Sequence, residues 1–184
     1  LPQVFDIAQI LFEGSLEVRV VSYEDYCNPK IPAIATEFSA EPEKIMAFAA
    51  RLRPSGGGDC PEATRTAFNC VIEDIAATQV ARALVVHYTD APPHHAITGG
   101  TNWKRETEAL KDTELKGSWV GMSKRLRELQ VPVFTFLPNH SCNSATPRFH
   151  ALMGTVVALA ATTPEAVTRA TVGLLTLLTG SDFE

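Results

Sequence analysis

The stretch ALVVHYTDAPPHH, from Ala83 to His95, decides the fold. Its first six residues, Ala83 to Tyr88, form a continuous apolar run of strand length. Such a run is typical of a strand that is covered on both faces, as in a parallel sheet. The two prolines that follow, Pro92 and Pro93, force the chain out of any regular element. The stretch therefore predicts a buried strand with a loop at its carboxyl end.

Helices and strands alternate on both sides of this strand. Apolar residues at helical spacing, together with start and stop signals, predict helices over Pro2–Glu13, Pro42–Leu52, Pro61–Gln79, Asn102–Asp112, Ser118–Gln130 and Phe149–Met153, and a last helix that opens at Thr162–Glu165 and runs to Leu178. Further strands are predicted over Leu16–Tyr23, Ala33–Phe38, Val131–Leu137 and Thr155–Ala160. This order favours an α/β fold, a three-layer Rossmann-like sandwich with a mostly parallel sheet flanked by helices, in a single domain over residues 1–184.

The composition excludes several classes of protein. A net charge of -5 and a pI near 5.6 give no basic field for nucleic acid or an anionic membrane surface. The longest apolar stretch, Ala151 to Ala161, is well short of the roughly 20 residues that cross a bilayer. We therefore expect no nucleic-acid partner and no membrane insertion.

The cysteines give a weak indication of the compartment. Cys27, Cys60, Cys70 and Cys142 contain no C-x-x-C pair and no zinc-site spacing. A chain of this length does not need disulfides to be stable. We therefore expect reduced thiols, which favour an intracellular setting without fixing the compartment.

The loop SGGGDCPEA, from Ser55 to Ala63, has three interpretations. Asp59 could be a helix N-cap with Glu62 three residues later and Pro61 in the first turn. A phosphate cradle is disfavoured because the Gly-Lys-Ser/Thr ending of a P-loop is absent. In the third interpretation, Asp59 and Asp90 face one crevice at the carboxyl ends of the strands and offer oxygen ligands to Mg²⁺ or Ca²⁺.

Three phrases together resemble the von Willebrand factor type A family, in the branch that carries GGGDxPEA. They are GGGDCPEA, LVVHYTDAPPH and VRVVSYEDY, and they occur in the order of that family. The resemblance implies a Rossmann-like sandwich and, in many members, a metal-ion-dependent adhesion site. Asp90 matches the strand-end aspartate of that site, whereas Gly58 stands where other branches carry a threonine and no D-x-S-x-S motif occurs. Binding without a metal is therefore expected as much as binding through Mg²⁺ or Ca²⁺.

The resemblance also implies a central strand that would precede the helix Pro2–Glu13 and that this sequence does not contain. A sheet without its middle strand leaves two rows of unpaired backbone groups. We therefore expect an N-terminally truncated domain, in which a preceding segment of the same parent chain, or another chain, supplies the strand.

Other polar residues have simpler interpretations. His87, His94 and His95 could suggest a transition-metal site with Asp90, but core and surface histidines are favoured because no helical spacing aligns them. A nucleophile and base formed by Cys142 and His140 would lack a third, orienting group.

Two charged stretches are interpreted as solvated. Asp25 and Glu24 follow a strand and are expected in a solvated loop or a turn cap. The charged segment KRETEALKDTELKG, between Trp103 and Trp119, is expected to be a solvated face.

The leading functional hypothesis is a protein-interaction or adhesion module of the von Willebrand factor A type, without catalysis, in a larger polypeptide or assembly. Partner contacts are expected at Gly58, Thr89, His94 and Trp103, and a cation, if any, at Asp90 and Asp59. The alternatives are an accessory domain of a kinase- or hydrolase-linked enzyme and a permanent structural subunit without metal.

Overall fold

The computed structural model describes residues 2–12, 16–26, 33–53, 59–78, 80, 82–98, 101–139 and 143–180. Within these ranges the elements follow the order α1 (Pro2–Leu11), β1 (Val21–Tyr23), β2 (Ala33–Ala35), α2 (Pro42–Ala49), α3 (Thr64–Thr78), β3 (Val85–Tyr88), α4 (Trp103–Ala109), α5 (Trp119–Glu128), β4 (Val133–Pro138), α6 (Thr146–Met153), β5 (Thr155–Leu159) and α7 (Pro164–Leu178). None of the described helices combines the length and apolar character needed to cross a bilayer.

The start of α7 follows the sequence signal. Thr163 has an extended backbone and its hydroxyl accepts a hydrogen bond from the Ala166 amide at 3.3 Å. Pro164 stands at the first helical position, where a missing amide hydrogen costs nothing. The predicted start of this helix is confirmed, with Thr163 and not Thr162 as the capping residue.

The first predicted strand, Leu16–Tyr23, is regular only over Val21–Tyr23. Upstream, Val18 makes an isolated antiparallel bridge with Ser39. Between the two, the Val20 amide donates to the hydroxyl of Thr36 rather than to a backbone carbonyl. A side chain thus takes the place of a ladder partner, and the strand pattern is interrupted.

The helix expected from Pro61 begins at Thr64. The Glu62 amide donates to the Pro92 carbonyl at 3.1 Å, and the His94 amide donates to the Glu62 carbonyl at 3.2 Å. Glu62 and Pro93 form a parallel bridge, so this segment is paired with the loop after β3 instead of being helical. The interpretation of Asp59 as an N-cap is therefore wrong.

Contacts divide the chain into two compact units. The first comprises Leu1–Val20, Ala35–Arg53 and Leu159–Glu184, and the second comprises Val21–Ile34 and Pro54–Ala158. In the first unit α1 contacts α2 and α7. Its buried apolar side chains are Phe5, Ala8, Ile45, Leu159, Leu174 and Leu175. A single domain over 1–184 stays a prediction.

The second unit holds the parallel sheet. β3 pairs with β4 in parallel, with Val85 opposite Val133 and Tyr88 opposite Phe136, and the strand order is β3-β4-β5. β1 and β2 form a separate two-stranded sheet. The protein is thus a mixed α/β fold with a small parallel sheet flanked by helices, compatible with a Rossmann-like arrangement.

The core of the second unit lies between α3, α5, α6 and β4. Its buried members are Phe68, Ile72, Ile75, Leu110, Trp119, Met122, Leu126, Val131, Val133 and Met153. The rings of Phe68 and Trp119 meet edge to face with centroids 5.5 Å apart. Gly154 links α6 to β5 where a β-carbon would overlap the Val133 carbonyl, so the backbones approach closely there.

Candidate functional site

Three loops of the second unit converge on one cluster. Asp25 follows β1, Asp59 precedes α3, and His94 lies in the loop after β3. β1 packs against α3, and the bridge between Glu62 and Pro93 ties the two other loops together. The pairing of these loops brings side chains that are far apart in sequence within contact distance.

The cluster consists of two carboxylates and an imidazole. His94 Nε2 lies 3.0 Å from Asp25 Oδ1 and 3.8 Å from Asp59 Oδ1. One ligand atom from each of the three residues lies within 4.8 Å of the others. Asp25 and His94 are fully buried, whereas the side chain of Asp59 is 17% exposed. Asp25, Asp59 and His94 could therefore hold a metal ion.

The remaining oxygen of each aspartate is anchored by the protein. Asp25 Oδ2 accepts from the Asn102 side-chain amide at 2.8 Å. Asp59 Oδ2 accepts from the Thr101 amide at 2.8 Å. Asp59 Oδ1 is buried and has no hydrogen-bond partner. Asp25 Oδ1, which faces His94, also accepts from the Tyr26 amide at 2.5 Å. The protein thus holds both carboxylates while one oxygen of each faces the cluster.

Glu106 stands behind His94 and fixes the orientation of its ring. Its Oε2 lies 3.1 Å from His94 Nδ1, and its Oε1 accepts from the amide and hydroxyl of Thr66 at 2.8 and 2.9 Å. Glu106 is fully buried, so the prediction that its segment forms a solvated face is wrong for this residue. The reason is Arg65, which supplies a buried counter-charge from α3.

Arg65 completes this buried network. Its Nε donates to Glu106 Oε2 at 2.9 Å, and its two Nη atoms donate to the carbonyls of Gly117 and Trp103 and to the Thr107 hydroxyl. A buried ion pair is stable only when its other donors and acceptors are also satisfied. These bonds meet that condition, so the network is a rigid support for His94.

The carboxylates set the charge of the cluster. Burial by itself would lower the pKa of His94, but the hydrogen bond to Glu106 and the charges of Glu106, Asp25 and Asp59 together raise it. Burial, with the charge of Asp25, raises the pKa of Glu62 to about 7. The region is therefore rich in negative charge and favours a cation.

A second buried histidine, His87 on β3, lies in an aromatic environment. Its Nε2 is hydrogen-bonded to the Tyr23 hydroxyl at 2.8 Å, and its Nδ1 lies 3.3 Å from the Thr135 hydroxyl. Burial lowers the pKa of His87 to about 3, with a smaller effect of His150, and burial raises the pKa of Tyr23 to about 12. His87 is therefore neutral, and the prediction of a core histidine is confirmed for it.

The structure brings together only part of the predicted site. Asp59 and His94 belong to the cluster, whereas Asp90 is exposed and is not part of it. The Thr89 hydroxyl bonds to the backbone of Ala91, and Trp103 is half-buried with the Lys104 amine 5.6 Å from its ring centroid. Gly58, His140 and Cys142 lie outside the described residues.

Sequence reasoning missed Asp25 and Glu106. Asp25 is 1% exposed, so the expectation of a solvated loop is wrong. Its position directly after a strand is a signal that could have identified it, because ligands bind at the carboxyl ends of strands. The prediction for Asp90 relied on this signal. Glu106 gives no local signal, since its partners His94 and Arg65 come from other elements.

The cysteines differ from expectation as well. Cys60, next to Asp59, is disulfide-bonded, whereas Cys70 is not in a disulfide and its thiol donates to Asp74 Oδ2 at 3.4 Å. The expectation of reduced thiols is wrong for Cys60, because sequence spacing carries no information on the distance that a disulfide requires. The intracellular setting that rested on reduced thiols loses its support.

Comparison with known proteins gives one informative match. No family model matches the chain. The chain is similar to an ariadne-like RING finger protein of Acanthamoeba polyphaga mimivirus, with 28% identity over 187 residues. The match covers 99% of this chain and 18% of the relative, so the chain spans about a fifth of the relative's length.

This match overturns two predictions. The adhesion module of the von Willebrand factor A type is wrong as a function, because the matching relative is named for a RING finger. The prediction of a chain without catalysis is contradicted as well, because the relative is named as an ariadne-like RING finger protein. The adhesion hypothesis was based on short sequence motifs. Such motifs indicate a fold, but they do not show the function of the larger protein that contains it.

Proposed function

We propose that this chain is a partner-presenting segment of a larger RING-finger protein of the ubiquitin-ligase type. The observation that carries the proposal is the match over 99% of the chain to a relative named for its RING finger. Because the match covers 18% of that relative, the activity is assigned to the larger protein and not to these residues alone.

The chain itself does not carry the zinc ligands of a RING. A RING binds zinc through sets of Cys and His at short spacing. The four cysteines contain no such pair, and Cys60 is in a disulfide. The role that remains for this segment in a ligase is to hold a protein that the larger polypeptide modifies.

Exposed apolar side chains near the carboxyl end of β3 are the proposed contact surface. Ile97 is 78% exposed and Tyr88 is 44% exposed. Trp103 is half-buried nearby in sequence, and aromatic side chains of this kind are frequent anchors for protein partners. His94, which was expected to touch the partner, is buried and would act by holding the loop that carries Ile97.

We also propose the von Willebrand factor A arrangement as the fold of the larger domain. Two observations support it: β1–β2 and β3–β4–β5 form separate sheets, and β3 is at the end of its sheet. A strand from the parent chain or from another chain would pair with that edge. Backbone groups that are unpaired at an edge favour such an addition.

The donor atoms of the cluster decide which class of cation would fit it. Mg²⁺ and Ca²⁺, the ions expected at Asp90 and Asp59, take oxygen ligands. Asp25 and Asp59 would supply these, but His94 adds a ring nitrogen. This donor set favours a different class of ion.

The test is a ubiquitin-transfer assay with the natural polypeptide that contains this chain. We expect transfer in the presence of activating and conjugating enzymes, and none from residues 1–184 alone. Ile97→Asp should reduce modification of bound proteins and leave self-modification unchanged, and Val120→Asp, at a site that is 69% exposed on α5, is the matched control. A natural polypeptide without transfer activity would contradict the proposal.

A further inference from the structure

We propose that Asp25, Asp59 and His94 form a binding site for one divalent transition-metal ion of the Zn²⁺ class, which ties together the three loops that carry them. The proposal does not depend on the RING-finger relative. The site includes Asp59 but not Asp90, although the sequence predicted a cation at both residues.

Buried atoms without hydrogen bonds point into the cluster. His94 Nε2 and Asp59 Oδ1 are both buried and lack a hydrogen-bond partner. Asp25 Oδ1 lies 3.0 Å from His94 Nε2, yet the ring nitrogen is not directed at that oxygen well enough for a hydrogen bond. Leaving such groups unpaired in the interior is costly, and an ion between them would satisfy them together.

The spacing of these atoms fits a metal coordination sphere. Ligands at about 2.0–2.1 Å from a tetrahedral zinc ion lie about 3.3 Å from one another. The distances from His94 Nε2 to Asp25 Oδ1 and Asp59 Oδ1, 3.0 Å and 3.8 Å, lie on either side of that value. Small side-chain adjustments would therefore bring all three atoms into the first coordination sphere.

Glu106 prepares His94 for this role. Its carboxylate faces Nδ1 at 3.1 Å, so that Nδ1 carries the proton and Nε2 is free to bind an ion. Metal-binding histidines usually donate their second ring N–H to a carboxylate in this way. The bonds of Glu106 to Thr66 and Arg65 fix the carboxylate, and hence the plane of the ring.

The donor set selects the class of ion. Imidazole nitrogen is a preferred ligand of Zn²⁺ and similar ions, whereas Mg²⁺ and Ca²⁺ prefer oxygen. Three protein ligands leave one tetrahedral position open.

The experiment measures metal binding by the 184-residue chain after treatment with a chelator, with the Cys60 disulfide kept intact. Competition with a chromophoric chelator should show one Zn²⁺ per chain, and Mg²⁺ or Ca²⁺ should not displace it. His94→Gln should lower the affinity by roughly 100-fold or more, since losing even a group that only orients a ligand costs about 10–100-fold. His95→Gln is the matched control and should bind as the unchanged chain does.

A second variant guards against misfolding of His94→Gln. Asp59→Asn keeps the oxygen that accepts from Thr101 and replaces only the oxygen that faces the cluster. It should keep the circular-dichroism spectrum of the unchanged chain and lose the rise in unfolding temperature that Zn²⁺ produces. Folded chain that binds no Zn²⁺, or an Asp59→Asn chain that binds it equally well, would overturn the proposal, as would Mg²⁺ binding that depends on Asp90.

Discussion

His87 and His94 lie in the same unit of the protein and are both buried, but their surroundings give them opposite properties. His87 contacts aromatic rings and hydroxyl groups, and burial lowers its pKa to about 3. His94 is surrounded by Asp25, Asp59 and Glu106, and these carboxylates raise its pKa despite burial. The comparison shows that the partners of a buried histidine, and not burial alone, decide whether it serves the core or a site for cations.

The largest effect is expected when the support of the His94 region is broken. Arg65→Ala leaves Glu106 as a buried carboxylate without its guanidinium, which should lower the free energy of unfolding by about 3–5 kcal/mol. Chemical denaturation measures this change. Lys111→Ala, which removes an exposed ion pair with Glu108, is the control and should cost at most about 1 kcal/mol. Equal effects of the two changes would show that the Arg65 network is not important for stability.

The His87 region should respond to pH. Because its pKa is lower in the folded chain than the usual value of 6.5, unfolding takes up a proton below that pH. Stability is thus complete above about pH 6.5 and falls as the pH drops toward 3, by about 2 kcal/mol between pH 7.5 and pH 5 for this group. Urea unfolding at a series of pH values should show a smaller loss for His87→Gln. If both chains lose stability equally, His87 does not titrate as proposed.

A steric change tests how closely the backbone packs against β4, the strand beside His87. Gly154→Ala would place a methyl group against the Val133 carbonyl on β4, the strand that also carries Thr135 beside His87. Overpacking of this kind costs about 1–3 kcal/mol. Gly173→Ala in α7 meets no atom within 4 Å and should stabilise the helix by about 0.5–1 kcal/mol. Thermal unfolding should show a lower midpoint for Gly154→Ala and a higher midpoint for Gly173→Ala. An unchanged midpoint for Gly154→Ala would argue against close packing at this link.

The smallest effects come from two tyrosine hydroxyls, one in each region. Tyr23→Phe removes the partner of His87 Nε2, and Tyr26→Phe removes the hydroxyl that contacts Thr66 beside Glu106. We expect losses of about 1 kcal/mol for Tyr23→Phe and less for Tyr26→Phe, because the Thr66 hydroxyl keeps its bond to Glu106 when the Tyr26 hydroxyl is removed. Denaturant titration of both variants measures the two losses in free energy of unfolding. A larger loss for Tyr26→Phe would show that the hydrogen bonds near His94 contribute more to stability than those near His87.

Much of the fold could be predicted from local patterns. The run Ala83–Tyr88 predicted a strand, and the structure has one over Val85–Tyr88. Its predicted cover on both faces is wrong, because β3 ends its sheet and Tyr88 is 44% exposed. The helix start at Thr162–Glu165 was also predicted, because it depends only on neighbouring residues, although the capping residue is Thr163. The helix start at Pro61 was wrong because the pairing of Glu62 with Pro93 overrides a local capping signal.

The candidate site was predicted in half. Asp59 was named from its loop, and His94 was noted but assigned to core or surface. Asp25 and Glu106 were set aside as solvated because charged residues usually are. Their burial depends on partners from other elements, such as Arg65 for Glu106 at 41 residues and Asn102 for Asp25 at 77 residues, and no spacing rule reaches that far.

The sequence by itself determined the class of fold, the order of its elements and the chemical groups available for a site, since these follow from periodicity, breakers and side-chain type. Only the tertiary structure decided which of those groups meet. It joined Asp25, Asp59 and His94 and left Asp90 exposed, because loop pairing and buried counter-charges are set by contacts between distant segments. The energy of a polar group depends on those contacts, so its role is decided only when the chain is folded.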